Sequence, residues 1–274
     1  MDELYVIARR VLLDALEALG AHRDAIVLVG AQAIYLRVGE ADLAVAPYTT
    51  DGDLAVDPAM LAEIPPLEQA LTKAGFLPKT KDSVGIWVTH RPTSANVDAE
   101  VAIDLLVPAS VSPGKGRRAA RLSGHDARVA RIVAGLDGAL VDVDRMALAA
   151  LDADTRSFEI RVAGPAALLV AKVHKISERR GSDRQSDKDA LDVLRLLRGT
   201  QTEELADRYR TLLADSRSRT PAEAAVELAR EQFAKRNGFG VEMAVRSAGA
   251  LADPEEIAAS CEALANDLLA ALSR

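Results

Sequence analysis

Apolar and polar positions repeat with different periods along the chain, and each period predicts an element. Residues 1–20, MDELYVIARRVLLDALEALG, space apolar side chains three and four apart among charged ones, the pattern of an amphipathic helix. AIVLVG (25–30) is a short apolar run closed by Gly30. AQAIYLRVG (31–39) follows with Ala33, Ile34 and Leu36 at helical spacing, so strand, tight turn and helix are expected in that order. DLAVD (53–57) alternates as a strand does, and the stretch from Pro58 to Phe76 reads as one helix or two after a proline start. VGIWVTH (84–90) and EVAIDLLVP (100–108) predict two further strands. The chain is then basic and loop-like from 112 to 132, after which GALVDVD (138–144) and SFEIRVAG (157–164) predict strands that close the sheet.

At GPAALLVAKVHKISERR (164–180) the period becomes helical, with Pro165 at the first helical position. Almost everything beyond is also helical in pattern: residues 186–198, 202–216, 220–236 and 253–274, with RRGSDRQSD (179–187) the most loop-like stretch. The expected fold is an α/β (α+β) core with a mixed sheet over residues 1–163 and an all-helical C-terminal domain over 164–274.

Composition narrows the class. The chain has 274 residues and is 49% hydrophobic, enough to bury a core, and its 27% charged content is that of a soluble protein. Its single cysteine, Cys261, rules out an internal disulfide and a Cys/His zinc spacing, and fits a reducing cytoplasm. The first twenty residues carry acids from the start and hold no long uncharged run, so neither a signal peptide nor a membrane span is expected there. The net charge of −7 argues against a chain coated in nucleic acid, although the stretch from Lys115 to Arg131 is locally basic.

The candidate chemistry lies in YTTDGDLAVD (48–57). In a strand, residues two apart face the same way, so Asp51 and Asp53 project together, and two such carboxylates repel unless a cation lies between them. Hard oxygen ligands suit Mg²⁺, and Asp104, inside the apolar run VAIDLLV, is a third carboxylate able to complete a two-metal site. VGAQA (29–33) places a small-residue turn before a helix, where free N–H groups and the helix dipole receive phosphate oxygens. Alternatives stand beside each reading. Asp-x-Asp also occurs in turns and caps, Asp57 reads as a strand-end residue, and Lys172 on an apolar helix also fits a snorkelling surface lysine. Asp189 and Asp192 also fit a solvated face paired with Lys188, Arg195 or Arg184. His125 and His174 read as surface or packing residues, and Trp87 as core.

The order Gly30-Ala31, Asp51-Gly52-Asp53, Asp104 resembles that of the DNA-polymerase-β-like nucleotidyltransferases. Within them the chain is most similar to the AbiEii/MenT-type nucleotidyltransferase toxins, through Thr49 or Thr50 before the acids and Lys172, Lys188-Asp189 and Asp192 downstream. Two departures are visible. Ala31 stands where Ser or Gly is usual, leaving a phosphate contact to the backbone or Gln32, and GEADLAVAP (39–47) looks like an insertion.

The resemblance implies an Mg²⁺-dependent enzyme with a two-metal site that moves a nucleoside monophosphate from an NTP to an acceptor hydroxyl. Asp51, Asp53 and Asp104 would be both catalytic residues and metal ligands, with Asp104 also helping to deprotonate the acceptor. Lys172 would neutralise triphosphate charge and Asp189 would orient it or contact the nucleotide, while Gly30, Ala31, Gln32, Thr50, Lys172 and Lys188 would bind nucleotide. The implied acceptor is the 3′ end of tRNA, approached along Lys115, Arg117, Arg118 and Arg121, with a cognate antitoxin as partner. A charge run is equally a solvated face. A small-molecule acceptor, as in aminoglycoside-modifying enzymes, and a non-catalytic nucleotide-binding module are the rival readings.

Overall fold

The computed structural model describes residues 2–39, 41, 43, 48–112, 118–183 and 185–274. They fall into two compact units. The first comprises residues 1–33, 48–133 and 143–162, and the second residues 34–47, 134–142 and 163–274.

The first unit opens with helix α1 (Glu3–Ala18). The Asp2 carboxylate caps its N-terminus by accepting from the Leu4 and Tyr5 amides, and the face carrying Ala8, Leu12, Leu13 and Leu16 is buried. The strands are β1 (Ile26–Val29), β2 (Asp51–Val56), β3 (Leu77–Pro78), β4 (Ile86–Pro92), β5 (Asp98–Pro108), β6 (Arg131–Val133), β7 (Val143–Ala149) and β8 (Ser157–Ala163). They form one mixed sheet in the order β3-β4-β5-β2-β1-β8-β7, with β6 pairing β5. β1 runs antiparallel to β2 and parallel to β8, while β2 and β5 are parallel, with Asp53 in register with Asp104 and Asp51 with Ala102.

One face of β2 and β5 is closed by α1. Gly52 points into that contact: a Cβ there would lie 2.9 Å from Ile103 Cδ1 and 3.2 Å from Leu12 Cδ1. The missing side chain lets the helix press directly on the strand that carries Asp51 and Asp53. Trp87 is core, as its composition predicts, and its indole N–H donates to the Val129 carbonyl at 3.0 Å.

Several elements differ from the pattern reading. Residues 58–66 are not helical; helix α3 (Leu67–Lys73) begins only after Pro65 and Pro66, because each proline disfavours helical backbone in the residue before it. GALVDVD is a 3-10 turn over Asp137–Leu140 followed by β7, which continues to Ala149, since Met146 and Leu148 carry the strand past the quoted run. β3 and β6, two and three residues long, are too short to show a period.

Helix α2 (Gly30–Val38) starts in the first unit, and its residues from Ile34 onward belong to the second. The second unit otherwise contains helices α4 (Pro165–Arg179), α5 (Lys188–Gly199), α6 (Thr202–Ala214), α7 (Arg219–Phe233), α8 (Phe239–Ala248) and α9 (Pro254–Leu272). α8 is not among the helical runs read from the sequence. Pro165 occupies the first turn of α4, and the buried Asp142 carboxylate accepts from the Ala166 and Ala167 amides, both at 3.0 Å. Leu169, Val173, Leu194, Tyr209, Phe233 and Leu268 are among the side chains that fill the core. Among the described residues no helix is long and apolar enough to cross a membrane.

Gly52→Val is expected to destabilise the protein by about 1–3 kcal/mol through overpacking, even though valine favours strands. A lowered denaturant midpoint checks this, and an unchanged one would mean that α1 yields without cost.

Candidate active site

Strand alternation places Asp51, Asp53 and Asp104 on one face of β2 and β5, the face opposite Gly52 and Ile103. All three are partly accessible, whereas Gly52, Leu54, Ile103 and Leu105 beside them are buried. The apolar positions anchor the strands and the acids line the open side.

The turn before α2 is built against these acids. Gly30 has φ of +68°, and a Cβ added there would fall 2.0 Å from Asp53 Oδ2 and 2.8 Å from its Cγ. Glycine is needed for the left-handed backbone and for the approach of the Asp53 carboxylate. Gln32, one turn into α2, is buried and spans two elements. Its amide nitrogen donates to the Asp51 carbonyl at 3.1 Å, and its side-chain oxygen accepts from Arg9 Nε at 2.8 Å. Arg9 is buried on α1 and also donates to the Ala149 carbonyl at 3.0 Å and the Tyr5 hydroxyl at 3.1 Å. Burial pulls the Arg9 guanidinium below its ordinary value, with Tyr5 opposing. The relay Arg9–Gln32–Asp51 ties α1, the start of α2 and the start of β2 together. Ala31 is also buried at the beginning of α2. Thr49, not Thr50, meets the acids: it is buried and its hydroxyl donates to Asp51 Oδ1.

Asp104 has a cationic partner. Arg131, at the start of β6, donates from Nη2 to Asp104 Oδ2 at 2.5 Å. The oxygen donor set of Asp51, Asp53 and Asp104, on one strand face, suits a hard divalent cation in its chemistry. Among the described residues no group of three or more His, Cys, Asp or Glu side chains is arranged to hold a metal ion.

In the second unit Lys172 is buried, and its ammonium donates to Asp189 Oδ1 at 2.7 Å and Asp192 Oδ2 at 2.8 Å. Lys175 donates to the same Asp189 oxygen at 2.9 Å, and Arg195 to Asp192 Oδ1 at 3.1 Å. The solvated-face and snorkelling alternatives therefore fall: Asp189, Asp192, Lys172 and Arg195 are all buried, because each charge meets an opposite one. Burial by itself would lower Lys172, but Asp189 and Asp192 outweigh it and hold the ammonium above its ordinary value. Burial likewise pushes Asp189 up, and Lys172 and Lys175 overcome this to hold it below the usual carboxylate range. Lys188 Nζ lies 6.0 Å from the centre of the Tyr35 ring, and the Arg195 guanidinium lies 5.1 Å from it.

Of the basic stretch, Arg118, Arg121 and Arg128 are exposed, while Lys115 and Arg117 lie outside the described residues, as does Arg184. His125 is a packing residue: Nδ1 accepts from the Leu67 amide at 3.1 Å and Nε2 meets the Ala62 carbonyl at 3.0 Å. His174 Nε2 meets the Pro221 carbonyl at 2.8 Å. Asp57 accepts from the Ala59 amide just beyond β2, as a strand-end residue does. Arg9, Thr49 and Arg131 were legible only in part. Arg9 lies four residues from Tyr5 and from Leu13 on the apolar face of α1, and Thr49 shares the alternation of Asp51. Arg131 is hidden at the end of a charge run.

Comparison with known proteins gives a family match and a similar solved structure. A family model described as nucleotidyltransferase matches residues 9–214, well over half of the chain and a span containing Asp51, Asp53, Asp104, Lys172 and Asp189. The crystal structure of an antigenic nucleotidyltransferase-like protein from Paracoccidioides brasiliensis is similar at 16% identity and a TM-score of 0.43, over 82% of this chain and 93% of that one. No curated protein matches the sequence.

Gly30→Ala is expected to displace the Asp53 carboxylate and to reduce nucleotidyl transfer while the protein stays folded; circular dichroism together with a turnover assay checks both. Lys172→Met is expected to cost about 3 kcal/mol, the lower end for breaking a buried pair, because Lys175 and Arg195 remain. The Asp189 contribution is present above its unfolded value, roughly pH 4, and is lost as pH falls through the lower folded value. That of Lys172 is present below roughly pH 10.4 and lost as pH rises through the higher folded value. In the variant Asp189 gains from protonation, so the stability gap to the native protein should narrow as pH falls below roughly 4. Denaturant midpoints at neutral and acid pH measure it.

Proposed function

The chain belongs to the nucleotidyltransferase family and is an enzyme of that class; on that premise we propose that it transfers a nucleoside monophosphate from an NTP to an acceptor hydroxyl at the carboxylate face of β2 and β5. The observation that carries this is the register of Asp53 with Asp104, with Asp51 two residues away and the Gly30 turn against Asp53. The acceptor oxygen forms a bond to the α-phosphorus, the bond to the bridging oxygen of the β-phosphate breaks, and pyrophosphate leaves. Asp51, Asp53 and Asp104 would hold Mg²⁺ in a two-metal site, which when bound supplies charge neutralisation for the triphosphate and lowers the pKa of the attacking hydroxyl.

The rest of the work falls to the protein. Asp104 lies across from Asp53, which supports a part for it in taking the acceptor proton. The N-terminus of α2, at Gly30 and Ala31, would offer backbone N–H groups to phosphate oxygens. The Gln32 amide spans Arg9 and the Asp51 carbonyl, which supports a part in holding that turn on β2. Thr49 orients the Asp51 carboxylate. The pairing of Lys172 with both Asp189 and Asp192 supports a positioning role for these residues.

For the acceptor we propose the 3′ hydroxyl of an RNA such as tRNA. The exposed Arg118, Arg121 and Arg128 support it by giving an acidic protein a local cationic surface for phosphates. A role as the toxin of a toxin–antitoxin pair rests on the sequence resemblance alone.

Incubation with Mg²⁺, each α-³²P-labelled NTP and total tRNA tests the proposal. Label is expected on RNA with the native protein and to drop at least 100-fold for Asp51→Asn or Asp53→Asn, the scale of losing a catalytic electrostatic contact. Transfer to a small aminoglycoside-like acceptor instead would overturn the RNA reading. Metal-dependent NTP binding without any transfer would point to a binding module.

A further inference from the structure

Two histidines fasten the chain that joins β2 to α3, and neither belongs to the carboxylate site. His22, in the 3-10 turn Gly20–Ala25, meets the Pro65 carbonyl through Nε2 at 2.7 Å. His125 meets the Ala62 carbonyl through Nε2 at 3.0 Å, and its Nδ1 accepts from the Leu67 amide at 3.1 Å. The two rings stand edge to face with centroids 5.7 Å apart. His22 is buried, whereas His125 is only partly so and is the ring that water reaches.

The partners dictate where the protons sit. A carbonyl only accepts, so Nε2 carries the proton in both rings. A backbone amide only donates, so Nδ1 of His125 must be bare. Contacts of opposite polarity thus hold His125 as one neutral tautomer. Its cation is incompatible with the Leu67 contact, because two N–H groups would then face each other at hydrogen-bond distance. Leu67 opens α3 and is buried, and the residue before it, Pro66, offers no side-chain cap, so the imidazole supplies the acceptor that this amide lacks within the helix.

The charged groups about the ring are His22 in the 3-10 turn, Glu63 on the fastened segment and Glu68 on α3. Glu63 accepts from the Ser123 hydroxyl at 2.8 Å and Glu68 from the Asp126 amide at 3.1 Å, so both flank the loop that carries His125. Burial draws His125 below the ordinary histidine value; His22 adds to this, and the Ala62 carbonyl, Glu68 and Glu63 oppose it.

We propose that His125 is an acid-released clasp: its neutral imidazole fastens residues 62–67 to the loop around 122–126, and a second proton on the ring frees that segment while the sheet stays folded. The contribution of the clasp is present above roughly pH 6.5 and is lost as pH falls through the lower folded value. Release uncovers the buried Leu67 next to Ile64, which is already exposed, and so enlarges the apolar surface at this end of the first unit. The clasp operates whether or not the acids on β2 and β5 transfer a nucleotide.

Amide hydrogen exchange on the full-length protein at about pH 7 and about pH 5, corrected for the intrinsic pH dependence of exchange, tests this. Protection of the Leu67 amide is expected to fall about ten-fold, the order of one hydrogen bond, while Leu54 on β2 keeps its protection. His125→Asn places a non-titrating carbonyl oxygen where Nδ1 stands, and should leave Leu67 equally protected at both pH values. Equal protection in the native protein overturns the proposal, as does a loss that persists in His125→Asn. A second readout needs no variant: ¹⁵N shifts of the His125 ring should show a bare Nδ1 at neutral pH and titrate together with the Leu67 amide at a midpoint below roughly 6.5. A protonated Nδ1 at neutral pH, or a Leu67 amide that does not follow the ring, overturns the proposal equally.

Discussion

Three carboxylates on one face of two adjacent strands repel one another, and much of the first unit is arranged to make that tolerable. Parallel pairing of β2 with β5 fixes Asp53 across from Asp104, and alternation adds Asp51. No shift in this register is available, because sliding by one residue would bury the acids and expose Leu54, Ile103 and Leu105. Compensation is local and specific. Thr49 donates to Asp51, Arg131 donates to Asp104, and the glycine turn leaves the Asp53 carboxylate the space that a side chain at position 30 would take.

The back of the same strands explains why the acids stay in place. Gly52 admits Leu12 and Ile103 into direct contact, so α1 clamps the strand between its two aspartates. Arg9, one turn earlier on α1, reaches Gln32 and through it the Asp51 carbonyl. One helix therefore braces both the Asp-Gly-Asp strand and the Gly30 turn. The chain belongs to the nucleotidyltransferase family, and transfer of a nucleotidyl group depends on placement and charge compensation more than on covalent chemistry.

The second unit handles buried charge differently. Lys172, Lys175 and Arg195 face Asp189 and Asp192 among α4 and α5, three cations pairing with two acids, all but Lys175 buried. Such a network contributes little net stability over an apolar replacement, but removing one member leaves an uncompensated charge inside the protein. Asp142 follows the same logic on a smaller scale, capping α4 and accepting from Arg208 at 2.8 Å.

The sequence by itself determined the mixed α/β sheet, the helical C-terminal region and the candidate acids, because these depend on periods of two and 3.6 residues and on a short glycine-punctuated motif. It did not determine the coil over 58–66, where Pro65 and Pro66 override an otherwise helical pattern, nor β3, β6 and α8. The partners of the charges were decided only by tertiary structure. Arg131 is 27 residues from Asp104, Arg9 is 23 from Gln32, and Lys172 is 17 from Asp189. A lone arginine or lysine reads alike as surface or core in sequence, since burial of its charge depends on an opposite charge that only the folded chain brings to it.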